Sequence, residues 1–220
     1  MVEHRHTDKG DFGDSFFTEL KVTNMEVQNI FPTFLYEFEL EIDNQLILDE
    51  CHQLRRMYPK GVKKSNYGTG WQSPAYEQFS IKPYTTPYIQ NLVRNIVDLT
   101  GQIMEDLDSP WRPHDAGAGW WVNINEGGGY NVYHTHPGCS LIGLYYPAIP
   151  DDLDPGEGVL TILRHDAMIH NVAYSEIENN CEYAIRPKVG VLYLMPSVLA
   201  HYVTPHFSKQ ERVSIAFNIG

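Results

Sequence analysis

The sequence predicts a mainly β fold with bracing helices, an α+β domain whose core is a double-sheet sandwich or barrel. From Pro110 onward, short apolar or alternating runs are separated by Gly, Pro, Asn and Asp, as expected of strands joined by turns. Amphipathic helical patterns precede these runs and none follows them, so strands and helices do not alternate as in a βαβ fold. A chain of 220 residues needs one such domain.

The chain divides into a polar tail and one domain. Residues 1–20 are polar and carry no strand pattern, so we expect a tail there and a single domain over residues 21–220. Within that domain the helical support lies at about 43–107, and the β core spans about 110–220.

Each early element has a start or stop signal. Partial alternation over residues 30–40 predicts an opening strand. Asp43 is placed to cap the first helix, which Pro59 ends. Thr86 is placed to cap the second helix, with Pro87 in its first position.

The β core opens with a strand whose two faces differ. Trp120, Val122 and Ile124 alternate with Trp121 and Asn123, so the two sets are expected on opposite faces. The remaining strands are predicted at residues 130–136, 141–146, 158–163, 190–195, 200–204 and 212–218.

Composition excludes several classes of function. A formal charge of −12 argues against nucleic acid or an anionic membrane surface as the main partner. The cysteines Cys51, Cys139 and Cys181 are odd in number and widely spaced, which indicates reduced thiols. With no signal-like segment and no run of about 18 apolar residues, the chain is predicted to be soluble and cytoplasmic. A homodimer is compatible with the sequence.

Three histidines form the strongest pattern. His134 and His136 are two apart on a predicted strand, so both side chains project to the same face. His201 follows an apolar run and a turn, so the next hairpin can return it to the same space. Three neutral imidazoles on one side of a metal ion leave positions open for substrate or oxygen. A metal site at these residues is the expectation.

Other histidines compete for this role. A single histidine in a strand is more often a hydrogen-bonded structural residue than a ligand. His206 is the nearest rival, because it lies between His201 and the last strand. The remaining candidates are His4, His6, His114, His165 and His170.

Arg212 and Ser214 form a candidate anion site. They share one face of the last strand, opposite Val213 and Ile215. A guanidinium with a hydroxyl two residues on can clamp one carboxylate, since its planar fork gives two parallel hydrogen bonds. The alternative is a surface arginine or an ion-pair partner.

Several segments together carry a resemblance to a known family. They are Trp121-Val122-Asn123, Asn131-x-x-His134-x-His136-Pro137, Gly143-Leu144-Tyr145-Tyr146, Pro196-Ser-x-x-x-His201-x-Val203 and Glu211-Arg212-Val213-Ser214-Ile215-Ala216-Phe217-Asn218. In this combination the chain resembles the iron(II)- and 2-oxoglutarate-dependent oxygenase superfamily, and within it a group related to the prolyl hydroxylases. The resemblance covers about residues 110–220.

The resemblance implies a fold, cofactors and roles. The fold is a double-stranded β-helix of the jelly-roll kind, also called cupin-like. Iron(II) is implied at His134, His136 and His201, with 2-oxoglutarate as co-substrate. Its distal carboxylate is implied at Arg212 and Ser214, assisted by Tyr146 with Tyr145 beside it. Oxygen and a small-molecule or peptide substrate complete the implied reaction, a hydroxylation.

One position departs from the superfamily. The second ligand is usually Asp or Glu, and here it is His136. A neutral imidazole leaves the metal site one charge unit more positive, which should favour an anionic co-substrate and weaken retention of iron(II). Glu126 or Asp115 could supply the missing charge.

Two other functions fit the same residues. One is a cupin-like metalloenzyme that uses the three histidines without a keto acid, and it would not need Arg212. The other is a non-catalytic jelly-roll module with a closed zinc site, for which His206 would be the fourth ligand.

Overall fold

The computed structural model describes four segments of the chain, residues 33–77, 86–106, 118–163 and 182–220. By its contacts the chain separates into Met1–Pro32 and Thr33–Gly220, and every described element belongs to the second unit. The predicted tail at residues 1–20 lies outside the described residues. The boundary between tail and domain therefore stays a prediction.

The described residues form two helices and twelve strands. The helices are α1 (Asn44–Met57) and α2 (Pro87–Asp106). The strands are β1 (Tyr36–Glu39), β2 (Asn66–Tyr67), β3 (Trp71–Gln72), β4 (Tyr76–Glu77), β5 (Ala118–Asn125), β6 (Tyr130–His134), β7 (Leu141–Ala148), β8 (Leu160–Leu163), β9 (Glu182–Ile185), β10 (Val191–Pro196), β11 (His201–Val203) and β12 (Arg212–Ile219). The sequence did not predict β2, β3, β4 or β9.

The start of α1 matches its sequence signal. Asp43 accepts hydrogen bonds at Oδ1 from the N–H groups of Gln45 and Leu46, at 3.0 and 3.4 Å. These groups have no partner inside the helix, so the carboxylate stabilises the first turn. The predicted cap is confirmed. In the described part of the chain, neither helix is both long enough and apolar enough to cross a membrane.

A side chain of α1 caps the first turn of α2, which the sequence did not predict. Glu50 accepts the N–H groups of Tyr88 at 3.0 Å and Ile89 at 2.8 Å. The helix begins directly after Thr86, as predicted, but the hydroxyl of Thr86 has no partner among the described residues, so the predicted side-chain cap is wrong. Burial raises the pKa of Glu50, and its two backbone hydrogen bonds oppose that rise. A side chain from α1 therefore fixes where α2 begins.

The strands form two antiparallel sheets. The larger sheet has the order β1-β10-β7-β12-β5-β3, with β4 also paired to β5. The smaller sheet has the order β2-β6-β11-β8-β9. Neighbours in space are mostly distant in sequence, as in a double-sheet jelly roll. The predicted double-sheet core is confirmed.

Two apolar clusters cover the two faces of the larger sheet. One contains Ile47 of α1 and Ile96 of α2 together with Trp120 of β5. The other joins Ala216 of the larger sheet to Val203 of the smaller sheet. Helices therefore cover the outer face of the larger sheet, while its inner face meets the smaller sheet.

A β-bulge in β6 alters which side chains face the space between the sheets. His201 lies opposite His134, whereas Val203 lies opposite Asn131. An interval of three residues on β6 therefore pairs with an interval of two residues on β11. The extra residue lets Asn131 and His134 face the same cavity, although alternation alone would place them on opposite faces.

Candidate functional site

The three predicted histidines meet between the sheets. His134 ends β6 and His201 begins β11 directly opposite it, while His136 follows two residues beyond His134. One ring nitrogen from each lies within 4.8 Å of the other two. The ring centroids are 4.4 to 5.2 Å apart. The antiparallel register of two strands therefore brings together residues about 65 positions apart in sequence.

Two of the rings are oriented by nearby backbone. His134 donates Nδ1–H to the carbonyl oxygen of Val132 at 2.7 Å. His201 donates Nδ1–H to the carbonyl oxygen of Leu199 at 3.0 Å. A carbonyl oxygen can only accept, so each Nδ1 carries the proton and each Nε2 keeps its lone pair.

The third ring is oriented by a side chain. His136 donates Nδ1–H to Oδ1 of Asn218, at 2.7 Å. Its Nε2 is buried and has no hydrogen-bond partner among the described residues. A buried lone pair without a donor is costly unless a ligand occupies it.

The electrostatic environment keeps the triad neutral. Burial, with a smaller contribution from the neighbouring His134, lowers the pKa of His201 to about 3. Burial likewise lowers the pKa of His136 to about 4 and lowers that of His134. The indole of Trp121 stacks on His136, with centroids 5.6 Å apart. Neutral imidazoles are the form in which histidine binds a metal.

This donor set fits a divalent transition metal. Three neutral nitrogen donors lie close together, and each ring donates its Nδ1–H to an oxygen, as metal-ligating histidines typically do. Imidazole suits iron, nickel, copper and zinc. The other positions around an ion would stay open to the cavity.

Arg212 is a buried cation in the same cavity. It is 2% exposed, and its Nη2 donates to the hydroxyl of Tyr146 at 3.3 Å. Its guanidinium carbon lies 4.9 Å from the centroid of that ring. Its Nε has no partner, and within the described residues no carboxylate pairs with it. A buried guanidinium without an anion is expensive, so the geometry favours an anionic ligand here.

The cavity connects the triad with this cation. Its empty volume, including the part open to solvent, is about 350 Å³. It is lined by Ser65, Trp121, Asn123, Asn131, His134, His136, Leu144, Tyr146, His201, Val203, Arg212, Ser214 and Ala216. The structure thus brings the predicted metal ligands, Arg212, Ser214 and Tyr146 to one site.

Tyr145 is the predicted site residue that the structure places elsewhere. Successive residues of β7 point to opposite faces, so Tyr146 faces the cavity and Tyr145 faces the helices. The hydroxyl of Tyr145 donates to Oδ1 of Asn44 at 2.5 Å, and burial raises its pKa to about 12. The expectation that Tyr145 assists an anion at this site is therefore corrected.

Four polar residues at or beside the cavity had no role in the sequence analysis. Asn123 could have been found, because it alternates with Trp121 on β5. Asn131 reaches the cavity only through the bulge, and Ser65 lies in a loop that carries no pattern. Asn218 stands in the family motif, but nothing in the sequence pairs it with His136.

The rival residues are not assembled with the triad. His206 is fully buried and donates Nε2–H to the carbonyl oxygen of Asn125 at 2.9 Å. It is not part of the three-histidine group, so the four-ligand zinc site is not formed by the described residues. Glu126 pairs with Arg55 and does not line the cavity. The other candidates, His4, His6, His114, Asp115, His165 and His170, lie outside the described residues.

The metal-free protein is expected to lose stability as the pH falls from 6.5 toward about 4. The pKa of each triad ring is below 6.5 in the folded protein, so in this window the unfolded chain binds protons that the folded protein does not. Each neutral ring then lowers the free energy of unfolding by up to about 1.4 kcal/mol per pH unit.

Urea denaturation with a chelator present, at about pH 7 and about pH 5, measures this loss. A His201→Gln variant lacks one of the rings and should lose less stability between the two pH values. An equal loss in both proteins would assign the effect to other groups.

Comparison with known proteins agrees with this site. Residues 119–218 match the family model described as "Putative 2OG-Fe(II) oxygenase". The matched segment runs from β5 to β12 and contains the triad and Arg212. A comparison with curated protein sequences gives no significant match.

Solved structures share the fold. A prolyl-4-hydroxylase from Pseudomonas putida has a TM-score of 0.58 at 14% identity, covering 84% of this chain and 91% of that chain. A prolyl hydroxylase from Trichoplax adhaerens, solved with a peptide fragment, has a TM-score of 0.58 at 15% identity, covering 84% and 82%. HygX from Streptomyces hygroscopicus, solved with nickel and 2-oxoglutarate, has a TM-score of 0.52 at 12% identity, covering 86% and 83%. These similarities confirm the predicted double-stranded β-helix.

The family match and the fold agree with the neutral imidazole triad that faces a buried guanidinium. The description of the matched family names 2-oxoglutarate and Fe(II), and the three histidines offer nitrogen donors for such a metal ion. Residues 119–218 therefore resemble the putative 2OG-Fe(II) oxygenases, and the described chain shares the fold of the solved prolyl hydroxylases.

Proposed function

We propose that this protein is an iron(II)- and 2-oxoglutarate-dependent oxygenase, which hydroxylates a small molecule or a peptide and converts 2-oxoglutarate to succinate. His134, His136 and His201 would hold the metal, and Arg212, Ser214 and Tyr146 would hold the distal carboxylate of 2-oxoglutarate. When bound, the two cofactors would supply an oxidation by O₂, in which 2-oxoglutarate loses CO₂, one oxygen atom enters the succinate formed and the other enters a C–H bond of the substrate.

The buried Arg212 carries this proposal. Its guanidinium has no carboxylate partner among the described residues, and it faces the cavity that the triad also lines. The chain has a formal charge of −12, so this buried guanidinium gives the cavity a positive charge that differs from the overall charge of the protein. A dicarboxylate can satisfy that cation with one end and a metal ion at the triad with the other.

The chain's own groups position and desolvate the co-substrate. The planar fork of Arg212 can donate two parallel hydrogen bonds to one carboxylate. Ser214 lies two residues on, 4% exposed on the same strand face, and can donate a further hydrogen bond. The phenol of Tyr146 is fully buried, which raises its pKa against the opposing effect of Arg212. It therefore remains a neutral donor near pH 7.

The neutral triad distinguishes this site from one with two histidines and a carboxylate. With no anionic ligand, the metal keeps its full charge toward the cavity, which strengthens attraction for 2-oxoglutarate. The same change weakens retention of Fe(II), since no charge from the protein opposes its loss. We therefore expect metal binding to tighten when 2-oxoglutarate is present.

Succinate release tests the proposal. Purified protein with Fe(II), 2-oxoglutarate and oxygen is expected to release succinate slowly even without a substrate. Oxaloacetate, one carbon shorter, serves as the control keto acid. Absence of succinate together with absence of 2-oxoglutarate binding to the metal-loaded protein would refute the proposal.

A further inference from the structure

We propose that Asn218 is the positioning residue of the candidate metal ligand His136, fixing the tautomer and orientation of its ring from a separate strand. The inference rests on the proposed metal role of the triad. It extends that role to a residue outside the three ligands and Arg212.

The three rings are held in two different ways. The backbone acceptors for His134 and His201 lie only two residues before each ring. Asn218 lies 82 residues after His136, on the larger sheet. Asn218 is therefore the one acceptor of the three that belongs to a side chain, and the one that mutation can remove without changing the backbone.

His136 needs such a contact more than the other two rings. It lies beyond the end of β6, whereas His134 and His201 are locked in register within paired strands. Its backbone N–H donates to the carbonyl oxygen of Ser197 at 3.3 Å, a long hydrogen bond. The stacked indole of Trp121 restrains the ring plane but does not choose which nitrogen faces the cavity. Asn218 makes that choice.

The chemistry of the acceptor decides which nitrogen is free. The amide oxygen of Asn218 accepts a hydrogen bond from Nδ1–H, so Nε2 of His136, which is buried and has no partner among the described residues, keeps its lone pair. Metal-ligating histidines commonly use a carboxylate, carbonyl or water for this purpose. Asn218 supplies a neutral oxygen, so it orients the ring without adding charge to the site.

The same strand face thereby serves both ends of the cavity. Arg212, Ser214, Ala216 and Asn218 alternate along β12, and all except Asn218 directly line the cavity. Arg212 reaches the anion end, and Asn218 reaches the metal end through His136. The register of β12 therefore sets both positions at once.

Calorimetric titration with Fe(II) under anaerobic conditions tests this inference, with Ni(II) as an air-stable second probe. Asn218→Leu keeps the approximate size and removes the acceptor. We expect it to weaken metal binding by about 10–100-fold. Asn218→Asp keeps an oxygen acceptor and cannot donate, so we expect it to bind the metal at least as tightly as the wild type.

Asn44→Leu is the matched control. Asn44 is also half-buried and also accepts one side-chain hydrogen bond, from Tyr145 on the outer face of the larger sheet. It should lower thermal stability without changing metal affinity. Asn218→Ala, with near-ultraviolet circular dichroism as a folding check, replaces Asn218→Leu if leucine disrupts the sheet.

The outcomes separate this inference from the proposed function. Wild-type protein that binds neither metal would overturn both. Wild-type binding that persists within about twofold in Asn218→Leu would overturn only the positioning role. An equal loss in Asn218→Asp and Asn218→Leu would also overturn it, because the acceptor would then not matter.

Discussion

Replacing Arg212 by methionine is expected to weaken 2-oxoglutarate binding by at least about 100-fold while leaving the ligand-free protein as stable as the wild type, or more stable. Removing one partner of a buried, hydrogen-bonded charge pair has effects of this size on binding. In the ligand-free protein, however, the Arg212 guanidinium is buried with no carboxylate partner among the described residues. Its replacement removes a desolvation penalty, so a gain in the free energy of unfolding of about 1–4 kcal/mol is expected.

The two effects are measured separately. Calorimetry with the metal-loaded protein gives the affinity for 2-oxoglutarate, and urea denaturation of the ligand-free protein gives stability. Arg186→Met is the control, because Arg186 is exposed and should change neither. Unchanged 2-oxoglutarate affinity in Arg212→Met would place the anion elsewhere. A marked loss of stability would show that the guanidinium holds the fold together and is not kept for a ligand.

Replacing His201 by glutamine is expected to reduce Fe(II) affinity by more than about 100-fold, a larger effect than losing the hydrogen bond that orients a ligand. His201 faces His134 directly across the strand pair and lies closest to it, with ring centroids 4.4 Å apart. Removing it leaves two donors, too few to hold a metal ion that also needs open positions. Fe(II) titration and the metal-induced rise in melting temperature measure the effect.

His206→Gln is the matched control for this substitution. His206 is also buried, but its ring donates to the carbonyl oxygen of Asn125 and is not in the three-histidine group. We expect lower stability and unchanged metal affinity. If His206→Gln lost the metal and His201→Gln kept it, the assignment of ligands would be wrong.

Much of the fold and the site follows from the periodicity of strands. Alternation separates Trp120 from Trp121 and places Arg212 and Ser214 on one face, as the structure shows. The two-residue spacing of His134 and His136 and the later hairpin with His201 are enough to predict their meeting. Most of these predictions succeed because each depends on a local period and one strand pairing, although His136 lies beyond the end of β6 and is oriented by other contacts.

The rest depends on contacts that no local pattern encodes. Glu50 caps α2 from another helix, and the strands β2, β3 and β4 are too short to show alternation. Tyr145 and Tyr146 are adjacent residues of the same type, and only the register of β7 determines which one faces the cavity. Asn218 meets His136 across 82 residues of chain. Each of these outcomes was decided by tertiary packing.

The bulge in β6 also determines which spacings between the amide and the first imidazole keep both side chains in this pocket. Deleting one residue between Asn131 and His134 would leave them two apart, and regular pairing with β11 would still turn both side chains to one face. At their actual spacing of three residues, they share a face only because of the bulge. A search among relatives should therefore accept both spacings and should not require Asn-x-x-His alone.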